Sequence, residues 1–205
     1  MQPTRLYLVR HGQVEGYQEK RYNGQRNVSL TEIGKEQSEQ VCACLSAVAL
    51  DAVYSSDLDR SRYCARLIAE GHGLAVVAEE ALREINFGDW EGRTWVELQE
   101  IYPLEWQRRL QDLTNYQVPG GESLQDAADR IRPVIGRILA RHPGGHIALV
   151  AHGGLNRIVL LDAIGAVLER AFFIEQDYGC LNIIDYLDGG HAVVRLLNGT
   201  AHLKP

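Results

Sequence analysis

Short apolar runs recur along the chain. They are separated by longer segments in which apolar residues are interspersed with polar ones. Six runs have the length and composition of strands, and they cover residues 6–9, 51–56, 74–77, 147–151, 180–186 and 192–197. The last two runs are joined through Asp188-Gly189-Gly190, a hairpin turn sequence. Helix-length segments separate the earlier runs, which indicates right-handed crossovers between parallel strands. The pattern predicts an α/β fold, a three-layer sandwich with a mainly parallel sheet flanked by helices and a C-terminal hairpin strand.

Apolar positions with a helical period lie between these runs. Thr31 opens one such segment, and its apolar face is predicted to hold Ile33, Val41, Cys44, Leu45 and Val48. Further helices are predicted between residues 57 and 73, over 95–113 with a break near Pro103, over 124–139 and over 155–163. Ser123 and Asp126 have the spacing of a capping box at the start of the helix over 124–139. These segments supply the outer layers of the predicted sandwich.

Two segments show neither the alternation typical of a strand nor the apolar spacing typical of a helix. Residues 13–27 are polar and mixed, and residues 82–93 are rich in glycine and carry charges of both signs. Functional loops of globular proteins often have this composition. We interpret residues 82–121 as a helical, lid-like insertion. Since the sequence contains no repeat, low-complexity tract or linker, it predicts a single domain over residues 1–205.

The composition is ordinary for a globular protein and narrows the expected partners. The 205 residues are 45% hydrophobic and 23% charged, with a formal net charge of −6, which argues against a broad nucleic-acid or membrane surface. No run approaches the roughly 20 apolar residues of a membrane span, and no signal-peptide pattern is present, so we expect a soluble, cytoplasmic protein. The four cysteines lack metal-binding spacing and are predicted to be small buried side chains: Cys42, Cys44, Cys64 and Cys180.

Two separate strands end in a His-Gly pair. The first is followed by Arg10-His11-Gly12 and the fourth by His152-Gly153-Gly154, while Arg60 comes shortly after the second strand. Parallel strands bring their carboxyl ends to one side of a sheet, where ligands are held. The glycines after His152 open a helix, whose first backbone amides could face an anion. Each of these residues alone is typical of an ordinary core or surface position, but together they predict an anion-binding pocket, most often for phosphate.

Four motifs occur in a distinctive order. They are Arg10-His11-Gly12, Ser56-x-Leu58-x-Arg60-Ser61, Leu82-Arg83-Glu84 with Phe87-Gly88-x-Trp90-Glu91-Gly92, and Val150-Ala-His152-Gly153-Gly154. In this order and at these separations the chain resembles the histidine phosphatase superfamily, also called the phosphoglycerate mutase-like family, from about Arg5 to the last strands. Residues 87–91 and 176–180 are similar to its α-ribazole phosphatase and broad-specificity phosphatase branch.

The resemblance implies catalytic roles for the pocket residues. His11 would be the nucleophile that becomes phosphohistidine, and Glu84 would be the proton donor. The phosphoryl oxygens would be held by Arg10, Arg60, His152 and Gly153. To attack phosphorus the His11 imidazole must be neutral, and the neighbouring arginines would lower its pKa. No metal and no cofactor is implied, because the arginines supply the positive charge that a magnesium ion would otherwise supply.

Several positions depart from the usual family pattern. Gln13 and Val14 stand where Glu-Thr is common, Tyr17 stands where asparagine is common, and Asn27 replaces a frequent aspartate. Phosphate contacts from the first three positions are therefore in doubt. Contacts to substrate are expected from Tyr22, Asn23 and Gly24. Five aromatic residues either line a leaving-group pocket or pack the insertion against the core: Tyr17, Tyr22, Trp90, Trp95 and Trp106.

The expected reaction is hydrolysis of a small-molecule phosphate monoester, with α-ribazole 5'-phosphate as a candidate substrate. A cofactor-dependent phosphoglycerate mutase is the first alternative, but residues 113–119 contain no basic side chain where family mutases usually carry a basic segment. A non-catalytic binding protein of the same fold is disfavoured by the intact motifs. A metallohydrolase is disfavoured because ligand spacings are missing. The expected partner is the phosphate ester, with neither nucleic acid nor membrane, and a homodimer is left open.

Overall fold

A six-stranded sheet forms the centre of the structure, a computed structural model that describes residues 2–203. The strands are β1 (Thr4–Arg10), β2 (Ala52–Ser55), β3 (Val76–Ala78), β4 (His146–Ala151), β5 (Leu181–Tyr186) and β6 (Ala192–Gly199). They lie in the order β3-β2-β4-β1-β5-β6. The first four strands are parallel, whereas β5 is antiparallel to both β1 and β6. The predicted α/β fold is confirmed, and each predicted strand is present in a mixed sheet.

Within residues 2–203, six α-helices connect and cover the strands. They are α1 (Glu32–Leu45), α2 (Asp59–His72), α3 (Trp95–Ile101), α4 (Pro103–Gln111), α5 (Leu124–Arg141) and α6 (Gly153–Ile164). Pro103 is the first residue of α4, where its missing N–H costs no hydrogen bond, and the predicted break there is confirmed. The capping box is confirmed too, since Ser123 and Asp126 exchange both side-chain-to-backbone hydrogen bonds. None of these helices is long and apolar enough to cross a membrane.

Side chains of β1 alternate between two apolar clusters on opposite faces of the sheet. Leu6 and Leu8 pack with residues of α5 and α6, and Tyr7 and Val9 pack with residues of α1 and α2. This alternation follows from the two-residue period of a strand. Because helices cover both faces, the central strands are apolar on both sides, which explains their uninterrupted hydrophobic runs.

Residues 82–121 contribute a smaller apolar cluster. Trp90, Leu98 and Val118 are buried in it, and Tyr22 and Trp106 pack against them. Tyr22 comes from the loop over residues 13–27, so this cluster joins the loop to the segment over residues 82–121. Both segments border the pocket described below.

The buried face predicted for α1 is partly wrong. The helix buries Gly34, Ser38, Val41 and Leu45. Ile33 is 52% exposed and Cys44 is exposed as well, because each lies one residue, about 100°, away from that stripe. Among the cysteines, Cys64 and Cys180 are buried as predicted, Cys42 is half-buried, and the prediction for Cys44 is wrong.

Candidate active site

Three neighbouring strands end at the same edge of the sheet. The register pairs Arg10 at the end of β1 with Ala151 at the end of β4, and β2 ends beside β4 one residue earlier. His11 and His152, the next residues along, therefore lie side by side with their ring centroids 5.1 Å apart. A pocket of about 400 Å³ opens here, and its walls include Arg10, His11, Arg60, Glu84 and Gly153. The ends of these strands thus bring the expected residues to one place.

The chain leaves His11 through an unusually close contact with α1. A Cβ atom added to Gly12 would overlap the carbonyl oxygen of Gly34, and one added to Gly34 would overlap the carbonyl oxygen of Gln13. Only glycine fits at both positions without moving the backbone. This contact fixes the path of the chain immediately after the histidine.

His11 is 5% exposed and has a defined tautomer. Its Nδ1–H donates a hydrogen bond to the carbonyl of Gly12 at 2.7 Å, because a carbonyl can only accept. The lone pair is therefore on Nε2, which accepts from Nε–H of Arg60 at 3.2 Å. Burial, and then the charges of Arg60 and Arg10, hold the pKa of the imidazole well below its usual 6.5. The ring is neutral at physiological pH.

Arg60 lies in the first turn of α2 and is 3% exposed. Its Nη1 donates to the carbonyl of Arg26 and its Nη2 to the carbonyl of Gly24, each at 2.6 Å. Among residues 2–203 no carboxylate lies within ion-pairing distance of it. The guanidinium is held rigidly by carbonyls, and its charge is left for a ligand.

His152 is completely buried and lies behind His11, edge-on to its ring. The Ser56 hydroxyl lies 2.7 Å from Nε2, and the Ser61 hydroxyl lies 3.3 Å from the same atom. Nδ1 is buried and has no hydrogen-bond partner within the described chain. Burial, followed by the charge of Arg60, holds the pKa of His152 well below 6.5. Since buried polar atoms are rarely left unpaired, this nitrogen is a candidate ligand contact.

Arg10 reaches across to the segment that precedes β5. Its Nη1 donates to the carbonyl of Gln176, and its guanidinium carbon lies 3.8 Å from the ring centroid of Tyr178. Nε of Arg10 is buried without a hydrogen-bond partner in residues 2–203. Arg10 therefore resembles Arg60 in being anchored by a carbonyl while keeping a donor free for a ligand.

Glu84 occupies the N-terminus of α6. Its carboxylate accepts hydrogen bonds from the amides of Gly154 at 3.0 Å, Leu155 at 3.2 Å and Ile85 at 3.0 Å. The amides of Gly154 and Leu155 at this helix end do face an anion, as expected, but that anion is the Glu84 carboxylate. Gly153 lines the pocket. A Cβ on Gly154 would overlap the Glu84 carboxylate and push it from this position.

The three residues expected to contact substrate all line the pocket, namely Tyr22, Asn23 and Gly24. The aromatic residues divide between the two interpretations. Tyr22 and Trp95 line the pocket, whereas Trp90 is 1% exposed and packs inside the apolar cluster. Tyr17 is not among the pocket residues.

The departures from the family pattern have local structural roles. Val14 is buried and lines the pocket. Gln13 accepts a hydrogen bond from the Thr31 hydroxyl at 2.9 Å, at the N-cap of α1. Asn27 accepts from the amide of Asp59 at 3.1 Å, in the first turn of α2. These polar substitutions tie the loop to the starts of α1 and α2.

Sequence reasoning missed several pocket residues. They are Lys20, Arg21, Phe87, Arg157, Phe172, Glu175 and Tyr178. Arg157 comes five residues after His152, which is not a same-face spacing on a helix, so the sequence carried no signal for it. The residues over 172–178 are in no periodic pattern, so only the fold brings them here. Within residues 2–203 no group of three or more His, Cys, Asp or Glu side chains is placed to hold a metal ion.

A neutral imidazole beside rigid guanidinium groups that lack carboxylate partners has the chemistry to receive an oxyanion. The family model for the histidine phosphatase superfamily (branch 1) matches residues 6–199. The chain belongs to this superfamily, as the four motifs predicted.

Individual relatives differ in length and in the activity that their names give. Phosphoserine phosphatase 1 of Hydrogenobacter thermophilus is 31% identical over 98% of this chain and 94% of that protein. A bifunctional protein of Mycobacterium tuberculosis is 37% identical over 98% of this chain, which spans 55% of that relative's length. The crystal structure of the α-ribazole phosphatase from Shigella flexneri matches with a TM-score of 0.88 and 29% identity, covering 96% of each chain.

Proposed function

We propose that the protein hydrolyses a small-molecule phosphate monoester by transferring the phosphoryl group to His11 and then to water. The observation that carries this proposal is the state of His11, a buried neutral imidazole with its lone pair on Nε2 beside Arg60. A nucleophilic nitrogen among fixed positive charges suits attack on a phosphoryl group. Membership of the superfamily and the phosphatase names of relatives support the same reaction.

In the first step the Nε2–P bond forms while the ester P–O bond breaks. Arg10, Arg60, the Gly153 amide and His152 would contact the equatorial oxygens, where charge is spread during an in-line transfer. Nε of Arg10 and Nδ1 of His152 are the two buried side-chain nitrogens without partners among the described residues, and an oxyanion would supply a hydrogen-bond acceptor to both. The guanidinium groups need no rearrangement, because carbonyl groups already hold them.

Glu84 is the proposed proton carrier. Glu84 is protonated when the ester binds and gives that proton to the departing alkoxide, and as a carboxylate it then takes one from the water that attacks the phosphohistidine. The products are an alcohol and inorganic phosphate, and His11 and Glu84 return to their starting states. The three amides that bind its carboxylate keep Glu84 at the pocket wall. A positioned acid and base of this kind contributes about 10²–10⁴-fold to rate.

The proposed mechanism uses no metal ion. Arg10 and Arg60 supply positive charge that stabilises the transferring phosphoryl group. In other phosphoryl-transfer enzymes a magnesium ion supplies that charge. Activity should therefore persist in excess chelator.

The names of relatives suggest two chemically different substrates. One is α-ribazole 5'-phosphate, whose alcohol is uncharged and carries an aromatic base. The other is phosphoserine, whose alcohol carries a carboxylate. A pocket of about 400 Å³ with Tyr22, Trp95 and Phe172 on its walls accommodates a small leaving group of either kind.

The test is phosphate release from phenyl phosphate in the presence of chelator, together with an acid-labile phosphoprotein trapped during turnover. We expect His11→Asn to lower kcat by at least about 10³-fold and to abolish the trapped phosphoprotein. His72→Asn is the matched control, because His72 lies at the end of α2 and does not line the pocket. Normal turnover of His11→Asn, or complete loss of wild-type activity in chelator, would contradict the mechanism. Isomerisation of 3-phosphoglycerate without phosphate release would indicate a mutase.

A further inference from the structure

Arg157 lies on α6 and reaches the rim of the pocket. Its Nε donates a hydrogen bond to the carbonyl of Ile174 at 2.8 Å, and its guanidinium carbon lies 5.6 Å from the ring centroid of Phe172. Phe172 is 54% exposed and lines the pocket with Glu175. The side chain is therefore anchored at one nitrogen, against the outer part of the pocket wall.

The remaining donors of Arg157 are unused. Neither terminal nitrogen has a hydrogen-bond acceptor among residues 2–203, and no carboxylate in that range lies within ion-pairing distance. The group is half-buried, and burial followed by the charge of Arg10 lowers its pKa. Neither terminal nitrogen is among the buried unpaired side-chain atoms of the described chain, so both are open to solvent and available to donate to a ligand.

Arg157 also stands beside the phosphate-binding residues. The position that a Cβ of Gly153 would occupy is 3.2 Å from Nη1 of Arg157 and 3.4 Å from Nε of Arg10. One side of Arg157 thus faces the inner pocket, and the other faces Phe172 and Glu175 at the mouth. An ester with its phosphoryl group at His11 must extend its alcohol from the inner pocket towards that mouth.

We propose that Arg157 binds an oxyanion on the leaving group, so that the preferred substrates are phosphate esters whose alcohol carries a carboxylate or a second phosphate. Both groups match the paired N–H donors of a guanidinium. The inference rests on the proposed function and narrows it, because it favours an anionic alcohol over the uncharged α-ribazole.

The test uses three esters of one carbon skeleton. Glycerol 3-phosphate has no second anion, 3-phosphoglycerate adds a carboxylate, and glycerol 1,3-bisphosphate adds a phosphate. The measured quantity is the ratio of kcat/KM for each anionic ester to kcat/KM for glycerol 3-phosphate. We expect Arg157→Met to lower this ratio about 10- to 100-fold, mainly through KM, because a charge-assisted contact is lost. If the ratio falls for 3-phosphoglycerate, the group bound is a carboxylate, and if it falls for glycerol 1,3-bisphosphate, the group bound is a phosphate.

Two further variants separate a specific contact from a general effect. Arg157→Lys keeps the charge without the paired donors and should give an intermediate ratio, which also guards against misfolding of the methionine variant. Arg137→Met removes a positive charge from the exposed face of α5, outside the pocket, and should leave the ratio unchanged. Equal effects of Arg157→Met and Arg137→Met, or an unchanged ratio in Arg157→Met, would overturn the inference.

The proposed function can fail separately. If the wild-type protein hydrolyses none of the esters, the phosphatase proposal is wrong, and the affinities of the same three esters for the unreacting protein then decide the role of Arg157. In that case an Arg157-dependent preference for the anionic esters supports the inference, and equal affinities refute it.

Discussion

His11 and His152 are buried beside arginines, and both have pKa values well below 6.5. In the unfolded chain each imidazole recovers its ordinary pKa and takes up a proton as the pH falls below about 6.5. The unfolded state then binds more protons than the folded state, so acid favours unfolding. The same burial that keeps the nucleophile neutral therefore makes the fold sensitive to mild acid.

The free energy of unfolding should fall between pH 7.5 and 5.5, by up to about 1.4 kcal/mol for each of these histidines per pH unit below 6.5. Urea unfolding at the two pH values measures this loss. His11→Gln removes one titrating ring and should reduce the loss by about half. Carboxyl groups with lowered pKa values, such as Asp57 and Asp185, affect stability only below about pH 4. An identical pH dependence in His11→Gln would contradict the prediction.

At the residue scale, sequence reasoning works where a side chain follows a strand end. His11 and His152 could be predicted to meet because each directly follows a strand, and parallel strands end at the same edge of the sheet. Arg157 could not, since the direction of a helical side chain depends on how α6 is rotated against the sheet. Nor could the amide partners of Glu84, because the contact joins a loop to a helix 70 residues away.

At the scale of elements, the loop after His11 depends on its contact with α1. Gly34 lies inside α1, where alanine would normally be the better helix former. A Cβ at this position would overlap the carbonyl oxygen of Gln13, so alanine must push the loop away from the helix. That loop begins directly after His11 and continues towards the pocket residues Tyr22 and Asn23.

Gly34→Ala should therefore destabilise the protein by about 2 kcal/mol or more and lower kcat/KM, because backbone overlap cannot be relieved by a side-chain rotation. Gly136→Ala is the matched control, since Gly136 lies inside α5 and an added Cβ meets nothing within 4 Å. That variant should gain about 0.5–1 kcal/mol from helix propensity alone. Chemical unfolding and phenyl phosphate turnover measure both effects. Equal stability changes in the two variants would refute the proposed contact.

The same contact explains why the face of α1 was hard to predict. A hydrophobic count assigns Ile33 to the core, but the buried stripe runs through Gly34 and Ser38. At Gly34 a small residue is needed because the loop passes over it. The break at Pro103 and the capping box at Ser123 could be predicted, because they depend on local backbone chemistry alone.

At the scale of the whole molecule, Asp185 joins three strands. Its carboxylate accepts from Arg5 of β1 at 2.6 and 2.8 Å and from Arg195 of β6 at 2.8 Å, and its side chain is 1% exposed. The two arginines lower its pKa to about 2. Because the folded pKa lies below the unfolded value of 3.8, the stabilisation is present above pH 4 and is lost as the pH falls towards 2.

Asp185→Asn should lower the free energy of unfolding at pH 7 by about 1–2 kcal/mol, a value reduced for the exposure of the arginine partners. Activity should be retained, since Asp185 does not line the pocket. Asp162→Asn is the control, because the Asp162–Arg132 pair is more than one-third exposed at both ends and should contribute under about 0.5 kcal/mol. Urea unfolding at pH 7 compares them, and an equal loss in both variants would contradict the prediction.

The hydrogen bond between Nδ1 of His11 and the carbonyl of Gly12 also decides regiochemistry. With Nδ1 committed to that carbonyl, only Nε2 has a lone pair to offer an electrophile. A phosphoryl group bonded to this ring must therefore be the tele isomer, not the pros isomer. The two isomers give different phosphorus NMR signals, so a spectrum of the trapped phosphoprotein tests whether the Gly12 carbonyl holds Nδ1 of His11.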